Sequence, residues 1–341
     1  MQSVLRRRPP SAPTVPAINR RLPTIESSYS TSWARGVLSN WSYPPYSTHD
    51  GQEPERYVRG REEQPGTHMP WPTFEVDSWA RFAELAARLT FHHPGDVSYL
   101  MRGQADAAWT LTPSLLRYLP AEATSHQALQ VESIGAHEFQ AQAHLHLPGG
   151  SLPSPFPVAG LPEWWALMQH YHAPTRLLDW TQSPYVAAYY AVEALVDTPG
   201  AIFIIRTQTV EAPLTTHFKD GKVRNDNFRD PAAPMVLLTW SPQRKTDRFV
   251  AQQGYFTLSV NVLGVHDKLI VEACGAARAA DRKTLFYEKW VIPARLKLEF
   301  LRNLRAMNIA AHSLFPGIDG LGRSLAEVAR LAAIVKSAPN P

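Results

Sequence analysis

Cysteine is almost missing from this chain. Cys274 is the only one in 341 residues. A lone thiol excludes an intramolecular disulfide and a cysteine-built zinc cage, and it suits a reducing compartment. No stretch approaches the roughly 18 consecutive apolar residues of a membrane span, so no membrane partner is expected. The chain has no Gly-x-Ser-x-Gly elbow of a serine hydrolase and no His-Glu-x-x-His of a zinc peptidase. Acids are scarce at the start: Arg6, Arg7, Arg8, Arg20 and Arg21 all precede the first one, Glu26. The net charge of +4 therefore describes a basic tail more than a folded face, and nucleic acid is not indicated.

Proline, by contrast, is abundant early. Ten of the 30 prolines fall in residues 1–70. No helical or strand period survives that density, so residues 1–70 are expected to lack a fixed fold. No apolar run follows the early arginines, which speaks against a secretory signal. The folded part is expected over 71–341.

Within it, apolar spacing predicts helices over 78–89, 127–147, 161–171, 181–196, 295–307 and 324–334. Leu129, Ile134 and Phe139 are the expected inward residues of the 127–147 helix. Strands are predicted over 96–104 (ending in a turn at Gly103), 201–205, 235–240, 254–259, 268–272 and 285–292. Residues 173–180 read as a turn and a short strand. The uninterrupted run Ala201 to Ile205 marks a strand buried on both faces. Residues 111–119 read as a loop with a short helix, 148–157 as a surface loop, and 207–234 as loop-rich. Helices early and strands late point to an α+β fold.

The richest segment is Gln169, His170, Tyr171, His172, Pro174, Thr175, Arg176, Leu177, Leu178, Asp179, Trp180, Thr181, Ser183 and Pro184. It sets polar chemistry among bulky apolar residues, as a concave site with a few placed polar groups would. A buried polar network that merely holds a turn would look the same. Asp179 and Arg176 are close enough in sequence to pair across that turn, a mainly structural use. A zinc site from His170, His172 and Asp179 is allowed by residue type, but the His-x-His spacing is common and no metal is expected. Arg244, Lys245 and Arg248 form a local basic patch that reads as a solvated face.

Four separated pieces carry a family pattern. They are Met101, Arg102, Gly103, Gln104 with Trp109 to Arg117; the segment just quoted; Gln252, Gln253, Gly254, Phe256; and Trp290, Ile292, Pro293 followed by Phe315, Pro316, Gly317, Asp319. In order and spacing they resemble the FRG domain, named for a Phe-Arg-Gly element, over residues 79–325. Met101 stands where the family has Phe and keeps the side chain apolar. The chain more distantly resembles the ADP-ribosyltransferase fold. The elements behind that likeness are Arg102-Gly103, Thr181-Gln182-Ser183 before a helix rich in Ala and Tyr, and Glu288 before Val291-Ile292-Pro293.

That second resemblance implies a split mixed β-sheet with N-terminal helices. It also implies NAD as substrate, in ADP-ribosyl transfer to an unspecified macromolecule or in NAD hydrolysis, within the cytoplasm and in a toxin or phage-defence role. Cleavage of the nicotinamide–ribose bond develops an oxocarbenium ion, which a carboxylate stabilises. The resemblance gives that role to Glu288; a strand Glu paired with Lys289 is the alternative. Arg102 would grip the diphosphate, because its planar fork binds phosphate oxygens bidentately. Ser183 would bond the ribose, or else cap a helix before Pro184. Gly103, Gln104, His170, Arg176 and Thr181 complete the implied NAD contacts. The competing reading is a non-catalytic module that binds a nucleotide or a protein with the same pocket. Convergence of Arg102, Ser183 and Glu288 on one cleft would distinguish the two.

Overall fold

The computed structural model describes residues 71–90, 99–147, 152–153, 160–281 and 284–337, without the side chains of residues 90, 276 and 333–337. The expectations for residues 1–70, and most of those for 148–157, fall outside the described residues. The chain divides into the units Met1–Tyr57 and Val58–Pro341. Everything below concerns the second.

Its centre is one seven-stranded mixed sheet, in the order β1-β7-β4-β2-β3-β6-β5. The strands are β1 (Thr73–Glu75), β2 (Tyr99–Gln104), β3 (Leu177–Thr181), β4 (Gly200–Arg206), β5 (Leu237–Trp240), β6 (Gly254–Ser259) and β7 (Tyr287–Ile292). β1 and β7 run parallel; every other pair is antiparallel. β4 lies between β7 and β2, and its first six residues are buried. This is what the apolar run 201–205 predicts.

One join in the sheet is thin. β2 and β3 share a single register pair, Met101 with Thr181, whereas β2 and β4 share six. Beyond Met101 the two strands diverge, and the sheet opens at Arg102. The mixed sheet of the sequence reading is therefore present, as one continuous seven-stranded sheet. Helices and strands interleave along the chain, however, instead of running helices first.

The helices are α1 (Trp79–Thr90), α2 (Ser114–Tyr118), α3 (Ser125–His146), α4 (Leu161–His170), α5 (Pro184–Val192), α6 (Thr207–Glu211), α7 (Leu214–His217), α8 (Asp247–Ala251), α9 (His266–Ala280), α10 (Ala294–Ala306), α11 (Ala311–Leu314) and α12 (Ile318–Ser337). α1, α5 and α10 cover one face of the sheet around Phe82, Met101, Ile202, Trp290 and Phe300. α9 covers the other, around Leu100, Phe203, Ile270 and Tyr287. Cys274 is fully buried there, and burial pushes its thiol up to about 12. It is no nucleophile.

α5 lies unusually close to the sheet. A Cβ added to Gly103 would come within 1.9 Å of the Ala187 carbonyl oxygen, and one added to Gly200 within 2.0 Å of that of Ala191. Ala187 and Ala191 are one helical turn apart, so the two strand glycines seat two successive turns. Gly103 is thus a packing position inside β2. The expected turn there is corrected: the strand continues to Gln104.

Three other expectations need correction. Residues 268–272 are helical, within α9; a short apolar run such as Leu269-Ile270-Val271 has no period of its own to separate strand from helix. α5 starts at Pro184, because Thr181 still pairs in β3 and Ser183 caps the helix. α3 turns Ala128, Glu132, Ala136 and Ala143 inward, with Leu129 and Phe139 half-buried against the core as expected, while Ile134 is exposed. The buried Glu132 explains this register. Its carboxylate takes the Arg176 guanidinium, and that pair decides which face of α3 is inside.

Candidate functional site

The divergence of β2 from β3 opens a cleft of about 190 Å³. Arg102, Asp179, Thr181, Tyr190, Arg248 and Gln252 line it. β2 supplies Arg102. β3 supplies Asp179 and Thr181. Tyr190 stands on α5, while Arg248 lies on α8 and Gln252 follows directly.

Arg102 bridges the opening. Its Nη1 donates to the Asp179 carbonyl oxygen at 2.8 Å and lies 3.9 Å from the Asp179 carboxylate. Asp179 is exposed, yet its Oδ2 accepts a hydrogen bond from Gln169 Nε2 at 2.9 Å. Arg248 lies over the Phe315 ring at 4.7 Å, and Arg323 reaches the same ring at 4.6 Å. Burial, together with the charge of Arg248, holds the His170 and His172 imidazoles below their usual pKa. Burial above all, then the Glu193 charge, raises the Tyr190 hydroxyl, against the opposing pull of Arg248. The neutral imidazoles and the phenol leave the charge of the cleft to two arginines and one carboxylate.

The backbone around the opening is firmly tied. Thr181 Oγ1 donates to the Gln252 carbonyl at 2.6 Å and accepts from the Ser183 amide at 3.0 Å. The Gln182 amide donates to the Gln253 carbonyl, and Gln253 sits at φ 48°. Gln252 Nε2 donates to the Leu314 carbonyl at 3.0 Å. All four separated sequence pieces therefore meet at one place, the last through Phe315 beneath Arg248. Behind the cleft, Trp180 Nε1 donates to Thr257 Oγ1 at 2.8 Å, and that oxygen lies 2.8 Å from His266 Nδ1. An indole N–H only donates, so Thr257 Oγ1 accepts from Trp180. Burial first, and Arg102 second, hold His266 down at about 3.

The predicted residues separate into two groups. Arg102, Gly103 and Thr181 line the cleft. The others do not. Ser183 is buried, and its Oγ accepts from the Val186 amide at 3.3 Å as the cap of α5. Gln104 is buried and donates to the Thr110 carbonyl. His170 flanks the cleft, beside Arg248. Glu288 lies on β7, two strands from Arg102, where its Oε2 accepts from Trp290 Nε1 at 2.8 Å. The register places Glu288 opposite Ile204 and thence Met101, whereas Arg102 aligns with Phe203 and Lys289. Side chains alternate faces along a strand, so Arg102 and Glu288 leave the sheet on opposite sides. Arg102, Ser183 and Glu288 do not converge on one cleft.

Arg176 is the clearest correction. It is 1 % exposed and wholly engaged. Nε donates to Glu132 Oε1 at 2.8 Å, Nη1 to the Val260 carbonyl at 2.8 Å, and Nη2 to the Phe228 carbonyl at 3.0 Å. Its guanidinium also lies 4.7 Å from the centre of the Trp165 ring. No donor remains for a ligand. Arg176 does not pair with Asp179 either; its acid partner is Glu132.

The sequence reading assigned no site role to Arg248, Tyr190, Gln252 or Gln169, although Gln169 heads the polar segment and Gln252 stands in the family pattern. A signal existed for two of them: Arg248 and Gln252 are four residues apart, which places them on one side of a helical turn. A larger hollow of about 570 Å³ runs along α3, between Phe139, Ala143 and Met168. Its lining is mostly apolar, and the Glu132 carboxylate at its base already holds Arg176. Polar chemistry belongs to the smaller cleft. Among the described residues no cluster of His, Cys, Asp or Glu is able to hold a metal ion, and no helix is long and apolar enough to cross a membrane.

Residues 97–198 match the FRG domain. The match runs from the start of β2 past the end of α5, so it contains both strands that form the opening. The protein is thus one that carries an FRG domain. No curated protein and no solved structure matches the chain.

Proposed function

We propose that the cleft between β2 and β3 binds the phosphate-bearing part of a nucleotide, with NAD as the first candidate, and that the domain acts as a nucleotide-binding module. One observation carries this reading. Arg102 and Arg248 reach a single opening in the sheet from elements almost 150 residues apart in the chain, and guanidinium groups are the side chains best shaped for phosphate oxygens. At about 190 Å³ the cleft is smaller than the roughly 300–1,000 Å³ of a site that encloses a drug-sized ligand. It takes one portion of a dinucleotide, and the remainder lies across the surface toward His172 and Arg323.

A second reading, cleavage of NAD at the nicotinamide–ribose bond, keeps the resemblance to the ADP-ribosyltransferase fold. One observation favours it: Asp179 is the carboxylate that lines the cleft. In this reading Asp179 takes the charge-stabilising role and Glu288 has none. The toxin or defence role and the macromolecular acceptor belong to this reading.

Calorimetric titration with NAD tests both. Arg102→Lys keeps the charge but loses the bidentate fork, and is expected to weaken binding by about 1.5–3 kcal/mol, roughly 10- to 150-fold. Unchanged affinity rejects the anchoring role. Nicotinamide release by the wild type that is abolished in Asp179→Asn and retained in Glu288→Gln supports cleavage. Binding without release supports the module.

A further inference from the structure

We infer that the cleft recognises a ribose hydroxyl through Asp179, and that Gln169 is the positioning residue that sets this carboxylate. The inference rests on the nucleotide reading above and names the part of the ligand that confers selectivity.

The side chain of Asp179 is 60 % exposed, an environment in which a carboxylate usually rotates freely. Here a chain of hydrogen bonds ties it to the core. The Leu177 amide donates to Thr175 Oγ1 at 3.2 Å, and Thr175 is fully buried. A carboxylate only accepts, so the end of the Gln169 amide facing Asp179 is Nε2 and the end facing Thr175 is Oε1, to which the buried hydroxyl donates at 2.5 Å. Nε2 then donates to Asp179 Oδ2 at 2.9 Å. The backbone of Asp179 is held as well, paired with Phe256 in the β3–β6 ladder and accepting from Arg102 at its carbonyl.

This arrangement leaves Oδ1 without a hydrogen bond among the described residues, in a set position beside Arg102. A carboxylate oxygen accepts and never donates. It repels a bare phosphate and attracts a hydroxyl. A ligand that satisfies the cleft therefore carries an anionic group for the arginines and a hydroxyl donor a few bonds away. Nucleoside phosphates with an intact ribose have both; inorganic pyrophosphate and dideoxynucleotides lack the ribose hydroxyl. The carboxylate thus works as attraction toward one class and repulsion toward the other.

Calorimetry on the full chain decides this with three ligands: ADP, 2′,3′-dideoxy-ADP and inorganic pyrophosphate. ADP is expected to bind about tenfold or more tightly than its dideoxy analogue, since a site built to bond a hydroxyl rejects the ligand without one. Gln169→Leu should bring that ratio close to unity by weakening ADP alone, with a smaller change for dideoxy-ADP and pyrophosphate, which have no ribose hydroxyl to lose. Asp179→Asn should erase the ratio and strengthen pyrophosphate binding. A merely structural Gln169 would shift all three ligands together. Equal affinity of the wild type for ADP and dideoxy-ADP, with pyrophosphate still bound, overturns the hydroxyl inference and leaves the anion site standing. Failure of all three to bind overturns both.

Discussion

Replacing Arg176 with Ala is expected to destabilise the protein by about 3–5 kcal/mol, a large share of a typical domain's stability. The guanidinium is buried at the junction of α3, α4, β3, the end of β6 and the short 3-10 helix Asn225–Arg229 that carries Phe228. It bonds the Glu132 carboxylate through two of its nitrogens and three backbone carbonyls through Nη1 and Nη2. Its removal leaves Glu132 buried with an uncompensated charge and the carbonyls without donors. Glu132→Ala should do comparable damage by stranding the arginine. The double variant Arg176→Met with Glu132→Leu should recover much of the loss, because apolar side chains of similar size replace a buried ion pair at little cost. Urea unfolding midpoints measure all four proteins. A loss below about 1 kcal/mol in Arg176→Ala, the level of an exposed ion pair, would show that the pair does not hold α3 in place.

Gly103→Ala is the second large effect. The added Cβ would overlap a backbone oxygen of α5, and no rotamer change relieves that. The helix must lift from β2, carrying Tyr190 away from the cleft. Overpacking of this kind costs about 3 kcal/mol, the upper end of its usual range. Gly322→Ala is the control. Gly322 lies inside α12, where nothing occurs within 4 Å of an added Cβ. That change should stabilise the protein by roughly 0.5–1 kcal/mol, because Ala favours the helix and Gly does not. Differential scanning calorimetry separates the two. Equal and small effects would mean that the close seating of α5 is not a constraint.

Local patterns in the sequence revealed much of this fold. The run Ala201 to Ile205 announced an interior strand, and the spacing of Trp79, Phe82, Leu85 and Leu89 announced α1. The segment 169–184 was legible as a dense polar site, and it does border the cleft. What stayed hidden depends on partners distant in the chain. Arg176 reads as a ligand contact until Glu132 is found buried beside it, 44 residues earlier. Arg248 reads as part of a solvated patch until α8 is seen folded against β6, where Phe249 meets Phe256. Glu288 precedes an apolar–Pro strand ending, as the resemblance requires. Its distance from Arg102 depends on the register of β7 against β4 and β2, which no local period encodes. The strand expected at 268–272 failed for a related reason. Three apolar residues in a row suit either element, and packing of α9 against Phe203 and Tyr287 decides between them.

The most direct test of the central claim is amide hydrogen exchange followed by mass spectrometry, with and without saturating ADP. Bound nucleotide should slow exchange in peptides spanning Tyr99–Gln104, Leu177–Thr181 and Asp247–Ala251, and Arg102→Ala should abolish that protection. Peptides covering Tyr287–Ile292 should be unchanged, because β7 lies two strands from β2 in the sheet. Protection confined to β7, or to α3 beside the larger apolar hollow, or no protection at all, would contradict the assignment of the β2–β3 cleft as the nucleotide site.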